Sequence, residues 1–242
     1  MAAKKFKVCA HRGLSGVMPE NTLPSFAAAI ALGADEIEFD VRLTSDLKMV
    51  VCHDSDINRV SDRKGSLNSY DLKTLMRCNA GSYRNWYVSF CTPEQVIERY
   101  AGRVVMNIHI ADFHPDFDVP AELRRLLYHY DATDAAYFSA RDEQLGLCLR
   151  SAPDIERCSL LPRLTSGPDI VDYAVRYACR RVQFHKPYFS RSLIERAHSY
   201  NMTCNAYWAD DRYEARRLLD LGIDTILTNR ADVLLFLKRE FS

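Results

Sequence analysis

The sequence predicts a β/α barrel that is irregular on one side. Nine short apolar runs recur along the whole length, and amphipathic stretches fall between most of them. No Gly/Ser linker, charge block, low-complexity tract or internal repeat divides the chain. Alternation of this kind favours a parallel sheet with helical crossovers, and 242 residues is a common size for such a sheet closed into a barrel. One domain over 1–242 is expected, with a small polar excursion at about 54–95.

The strands are expected at 6–10, 35–41, 49–53, 103–110, 135–139, 156–161, 180–184, 202–208 and 224–228. Helical spacing of apolar residues marks 24–32, which stops at Gly33, and 169–178. It also marks 190–199, which starts at Ser190, and 212–221, which stops at Gly222. The irregularity lies between the second and third strands. Only Arg42 to Lys48 separate them, too few residues for the crossover that two parallel strands need.

Composition narrows the function classes. The net charge is zero, which argues against a nucleic-acid partner held by phosphate neutralisation. No apolar run is long enough for an integral membrane segment, and MAAKKFKVCAHRG lacks the core of a signal peptide, so the expected location is cytoplasmic. The eight cysteines form no C-x-x-C pair and are expected as reduced core thiols.

Three strand ends carry chemistry. His11-Arg12-Gly13 follows the first strand and offers a proton carrier beside a fixed positive fork. Glu38 and Asp40 are two apart on the second strand and share a face, while Ile37, Phe39 and Val41 occupy the other. Two carboxylates facing a barrel interior repel unless a cation compensates. A divalent metal is the simplest compensation, with an ion pair to Arg12 or Arg42 as the alternative. His53-Asp54 ends the third strand and supplies a second acid or base with a carboxylate to orient it.

These residues resemble a known family. AHRGLSGVMPENTLPSFAAAIALGADEIEFDVRLTSD, followed by MVVCHDSDINRVSD, is similar to the N-terminal signature of glycerophosphodiester phosphodiesterases. Ala206-Tyr207-Trp208, Leu221-Gly222-Ile223-Asp224 and Leu227-Thr228-Asn229 resemble the family's closing strands. The resemblance implies a distorted (β/α)8 barrel of the PLC-like phosphodiesterase type. It implies metal-dependent hydrolysis of a small-molecule glycerophosphodiester to glycerol 3-phosphate and an alcohol. His11 and His53 would be the acid/base pair, Arg12 would hold the phosphate, and Glu38 and Asp40 would bind Mg²⁺ or Ca²⁺. Trp208 is expected either as an apolar wall for the glycerol or as a plain core aromatic, and Asn21 and Thr22 are expected to cap the helix that begins near Pro24, with a catalytic role as the alternative. Lysophospholipids as substrates, or ligand binding without turnover, are the alternatives.

The pattern departs in one strand. Where the family reads N-I-E-I-K, this chain reads Asn107-Ile108-His109-Ile110-Ala111. His109 then stands either as a metal ligand in place of a glutamate, which shifts the preference toward Mn²⁺ or Zn²⁺, or as a group behind the ligands or a mark of lost metal binding. Lys186 is one candidate to replace the missing lysine. Leu47 stands where a turn glycine is usual, and Asp210 or Asp211 would discourage an anionic substrate if it faced the pocket.

Overall fold

The computed structural model describes residues 6–160, 169–186 and 189–240. Eight parallel strands close on themselves: β1 (Lys7–His11), β2 (Glu36–Leu43), β4 (Val105–Ile110), β5 (Ala136–Ala140), β6 (Glu156–Leu160), β7 (Arg181–His185), β8 (Thr203–Tyr207) and β9 (Thr225–Thr228). The ring closes because β1 pairs with both β9 and β2. The extra strand, β3 (Met49–Val51), runs antiparallel to the end of β2 through Val41–Val51 and Leu43–Met49. β2 therefore outruns β1 and carries β3 on the edge that β1 leaves open. This is the irregularity that the short 42–48 connection requires. The last residue of the expected strand 156–161 lies outside the described residues.

The four expected helices form as α1 (Leu23–Leu32), α6 (Ile170–Arg176), α7 (Arg191–Ser199) and α8 (Arg212–Leu221). Crossovers also come from α3 (Pro93–Tyr100), α4 (Val119–His129) and α5 (Asp142–Ser151), and α9 (Ala231–Glu240) follows the last strand. Within the excursion, a short α2 (Leu72–Leu75) helps to build a separate apolar cluster of Val50, Ile57, Val60, Leu67, Leu75 and Phe90. The polar excursion is thereby anchored from β3 by its own small core.

Period-two alternation divides every barrel strand. Ile37, Phe39 and Val41 of β2, Met106, Ile108 and Ile110 of β4, and Phe138 and Ala140 of β5 are fully buried in the layer between sheet and helices. The alternate residues face the barrel interior and are polar: Glu36, Glu38, Asp40, Asn107, His109, Tyr137 and Ser139. All eight cysteines are free thiols and buried.

Two barrel-bottom locks share one design. Gly33 and Gly222 end α1 and α8 with φ of 96° and 112°, and each is followed two residues later by an aspartate. Asp35 accepts from the Val8 amide at 2.8 Å, and Asp224 accepts from the Cys204 amide at 2.9 Å, tying the start of the next strand to its neighbour.

Candidate active site

The C-terminal ends of the strands surround a cavity of about 360 Å³ lined by His11, Arg12, Glu38, Asp40, His53 and His109 among others. Six of the seven site residues expected from sequence thus meet in one place. The seventh, Trp208, is half-buried at the rim beside His185, Tyr207 and Lys186, and Tyr207 is the aromatic residue in the lining.

The first turn after β1 is unusual backbone. Arg12 and Gly13 both have left-handed φ, 56° and 79°. A side chain at Gly13 would press on Ser25, 2.5 Å from its hydroxyl and 2.8 Å from its carbonyl carbon, so the turn can lie against α1 only with glycine there. This sharp turn aims the Arg12 amide at Glu38 Oε2, 3.0 Å away.

His11 is held from behind. Its Nδ1 lies 2.7 Å from Asn229 Oδ1. Asn229 in turn donates from Nδ2 to Asp210 Oδ2 at 2.9 Å and from its backbone amide to Asp210 Oδ1 at 2.8 Å. A carboxylate only accepts, so the amide nitrogen of Asn229 must face Asp210 and its oxygen must face His11. Nδ1 of His11 therefore carries a hydrogen, and the lone pair of the neutral ring is on Nε2, 3.8 Å from Glu38 Oε2. Burial, then the positive charge of Arg12, lowers the pKa of His11 to about 4, which keeps the ring neutral. Asp210 is turned toward Asn229 and Thr228, and Asp211 caps α8. The expectation of a repulsive aspartate facing the pocket is corrected for both.

His53 is set differently. Its Nδ1 lies 2.6 Å from Asp54 Oδ1, which holds the ring in one orientation and leaves Nε2 as its other ring nitrogen. Arg42 fixes the segment by donating from Nε to the His53 carbonyl at 2.7 Å and from Nη1 to Asp112 at 2.5 Å. Arg42 is therefore a positioning group for the loop and makes its ion pair with Asp112.

Arg12 and His53 are joined by alternating charges. Arg12 Nη1 donates to Glu20 at 2.9 Å, Arg59 donates to both oxygens of Glu20 at 2.7 Å, and Arg59 Nε donates to Asp54 at 2.8 Å. Burial raises the Glu20 pKa, but the hydrogen bonds and charges of Arg59 and Arg12 outweigh it, so Glu20 is held below its usual range. Arg12 Nε is 3.5 Å from Asp40, and this buried nitrogen has no hydrogen-bond partner among the described residues.

Glu38, Asp40 and His109 form a candidate metal centre, with one ligand atom from each lying within 4.8 Å of the others. Burial, then the neighbouring Asp40, pushes the Glu38 carboxyl well above its usual pKa. Burial acts the same way on Asp40, but the His109 hydrogen bond at 2.7 Å and the nearby positive charge hold it well below the usual range. A buried carboxyl that resists ionising beside another is the environment that a divalent cation relieves. The residues present fit such an ion.

Asn21 is one correction. Expected as a helix cap with Thr22, it instead donates from Nδ2 to Asp40 Oδ2 at 3.0 Å and has φ 56°. Thr22 holds the N-cap position, but its hydroxyl donates to the Pro19 carbonyl at 2.7 Å, so neither side chain caps α1. Lys186 ion-pairs with Glu214 at 3.0 Å and lies over the Trp208 ring, outside the cavity lining. Ser139, Arg141, Gln183, His185 and Tyr207 complete the far wall and were not singled out from sequence.

The model of the glycerophosphoryl diester phosphodiesterase family matches residues 11–233. The chain belongs to that family. It is accordingly an enzyme of the phosphoric diester hydrolase class. A glycerophosphodiester phosphodiesterase of Bacillus altitudinis is 26% identical over 93% of this chain and 95% of its own length. One from Caldanaerobacter subterraneus is 26% identical over 98% and 99%. Among solved structures, an Oleispira antarctica phosphodiesterase in complex with the product sn-glycerol 3-phosphate superimposes with a TM-score of 0.81 at 21% identity, covering 97% of this chain and 96% of that one. A Galdieria sulphuraria structure reaches 0.86 at 18%, covering 99% and 100%. At these identities the structures establish the fold, a distorted (β/α)8 barrel.

Proposed function

We propose that this protein hydrolyses small glycerophosphodiesters to glycerol 3-phosphate and an alcohol, using His11 as general base, His53 as general acid and a divalent metal at Glu38, Asp40 and His109. The observation that carries the reading is a pair of histidines, each held through Nδ1 by a separate partner, that line one cavity. Asn229 leaves His11 with an acceptor lone pair on Nε2, while Asp54 orients His53 through its Nδ1. One imidazole is thereby placed to take a proton and the other to give one, as a displacement at phosphorus needs.

His11 Nε2 takes a proton from the attacking water as the water oxygen bonds to phosphorus. The bond from phosphorus to the leaving oxygen breaks, and His53 gives its proton to that oxygen. Arg12, with an unpartnered buried Nε–H, donates to a phosphoryl oxygen, where charge builds up. Glu20 and Arg59 hold Arg12 and Asp54 in place without touching substrate. The metal supplies Lewis-acid neutralisation of the phosphoryl oxygens when bound. With Nδ1–H of His109 donated to Asp40, its Nε2 is the atom left to ligate, an orientation typical of metal-binding histidines. Trp208 flanks the glycerol subsite from the rim beside Tyr207.

No helix of the described residues is long and apolar enough to cross a membrane, and free buried thiols fit a reducing compartment, so we assign the protein to the cytoplasm.

Hydrolysis of glycerophosphocholine and glycerophosphoethanolamine, screened with Mg²⁺, Ca²⁺, Mn²⁺ and Zn²⁺, tests the reading. Metal-dependent turnover is expected, and His11→Ala and His53→Ala are each expected to lower kcat by about a hundredfold or more while the protein stays folded. Folded protein without turnover under any metal would leave a ligand-binding barrel instead, and turnover only of lysophospholipids would move the substrate class.

A further inference from the structure

Among the described residues, Tyr137 and Tyr207 are the tyrosines of the barrel strands, and both face the interior. Their hydroxyls are treated differently. Tyr137 sits low in the barrel, where its hydroxyl donates to Glu36 at 2.7 Å and accepts from Asn205 Nδ2 at 3.2 Å. Both of its hydrogen-bonding roles are filled by the protein. Tyr207 is the last residue of β8 and lines the cavity. Its hydroxyl makes no hydrogen bond to a described residue.

The ring and the hydroxyl of Tyr207 have separate surroundings. The ring packs 4.6 Å from that of His11 and 4.9 Å from that of Trp208, centroid to centroid. A phenyl ring would pack in the same way, so packing does not account for the hydroxyl. Burial raises the pKa of the phenol, Arg12 lowers it, and Glu38, Asp210 and Asp40 raise it again, so the group keeps its proton. The oxygen therefore lies in the field of Arg12 and of two candidate metal ligands, where a bound phosphoryl group would sit. In the closed ring of eight strands β8 lies opposite β4, so Tyr207 and His109 line the cavity from opposite sides. A phosphoryl group held between Arg12 and the candidate metal centre turns its remaining side toward β8. Trp208, by contrast, stands at the rim, level with the glycerol.

We propose that the Tyr207 hydroxyl is a neutral donor for the substrate phosphate, giving a hydrogen bond to a phosphoryl oxygen from the β8 side, opposite His109. The proposal rests on the phosphodiesterase reading for its substrate, but not on turnover for its test. A hydrogen bond to a charged oxygen is stronger than one between neutral groups, and it gains strength as charge builds up on that oxygen during the displacement.

Calorimetric titration of the Mg²⁺-loaded protein with sn-glycerol 3-phosphate, and separately with inorganic phosphate, decides it. Tyr207→Phe keeps the ring against His11 and deletes one hydroxyl. It is expected to weaken both ligands by about tenfold or more, and to lower kcat/KM for glycerophosphocholine by a similar factor. Thermal melting controls for folding, and Tyr207→Leu provides a second hydroxyl-free variant should Tyr207→Phe not fold. Unchanged affinity for both ligands in a folded hydroxyl-free variant overturns the proposal, as does wild-type protein that binds neither. Weakening of glycerol 3-phosphate alone would move the hydroxyl to the glycerol and overturn the phosphoryl contact. Diester hydrolysis by the wild type, with ligand affinities unchanged in Tyr207→Phe, sinks this proposal and leaves the phosphodiesterase reading standing. Wild-type protein that hydrolyses no diester, yet loses phosphate affinity on Tyr207→Phe, sinks that reading and leaves Tyr207 as a phosphate ligand.

Discussion

At the scale of single residues, His109 distinguishes this site. In the proposed metal centre it offers an imidazole nitrogen where a glutamate would offer a hard, charged oxygen, and its Nδ1 lies 2.7 Å from Asp40. A carboxylate–imidazole donor set is a better match for Mn²⁺ or Zn²⁺ than for Ca²⁺, because imidazole is the softer ligand and brings no charge. His109→Glu is therefore expected to shift activation and affinity toward Mg²⁺ and Ca²⁺ and to weaken Zn²⁺ binding. Metal titrations of both proteins measure this, with chelator-treated protein as the reference. An identical order of metal preference and identical affinities would remove His109 from the ligand set.

At the scale of elements, the site is assembled from loops that follow different strands, and Glu20 ties two of them. It shares the connection after β1 with Arg12, and through Arg59 it reaches Asp54 after β3. Glu20→Gln removes the charge that both arginines oppose while keeping the side chain's shape. It is expected to lower kcat by loosening Arg12 and the Asp54–His53 pair, and to destabilise the fold in a pH-dependent way. The folded pKa of Glu20 lies below its ordinary value of 4.5, so its stabilisation is complete above that value and is lost as the pH falls through the folded pKa. The stability gap between wild type and Glu20→Gln should be widest at about pH 7 and should narrow below about pH 4. Urea unfolding at both values checks it, and a gap independent of pH would exclude a role for the ionised carboxylate.

The same elements mark what the sequence could convey. Strands such as Val105–Ile110 are legible because one face is fully apolar; His11 and His53 stand out because each ends or follows such a run, and Glu38 and Asp40 because they alternate with one. The short 42–48 connection foretold β3 as an oddity, since geometry forbids a parallel return. What escaped depends on distance in the chain. Asn229 meets His11 across 218 positions and Arg59 meets Glu20 across 39, and nothing local at either end marks the encounter. Asn21 shows the converse: its local pattern fits a helix cap, and Asp40, 19 residues on, takes its side chain instead. Arg141 carried an available signal. Period-two alternation from Tyr137 and Ser139 places it on the inward face, as it places Glu36 beside Glu38.

At the scale of the whole molecule, the barrel interior is polar at both ends, and the two ends do different work. One strand step below the site, Glu36 is level with Cys9 of β1 and is completely buried. It accepts from the Tyr137 hydroxyl at 2.7 Å and from Arg181 Nη1 at 3.2 Å. Arg181 also pairs with Glu156 at 2.6 Å and lies 4.3 Å over the Tyr137 ring, and Asn205 donates to the Tyr137 hydroxyl at 3.2 Å. Strands β2, β5, β7 and β8 are thus cross-linked through the barrel axis by one acidic side chain. Removing that acid leaves an arginine and a phenol buried without it, and breaking a buried ion pair from one side costs about 3–5 kcal/mol. Glu36→Ala is expected to lose stability on that scale. Glu36→Gln should lose less, because the amide oxygen still accepts a hydrogen bond while the charge is gone. Neither variant touches the cavity lining, so kcat of the fraction that remains folded should stay near the wild-type value. Urea unfolding combined with turnover at a temperature where both variants are native separates the two effects. A kcat that falls in step with stability would mean that the bottom layer sets the spacing of the strands at the catalytic end as well.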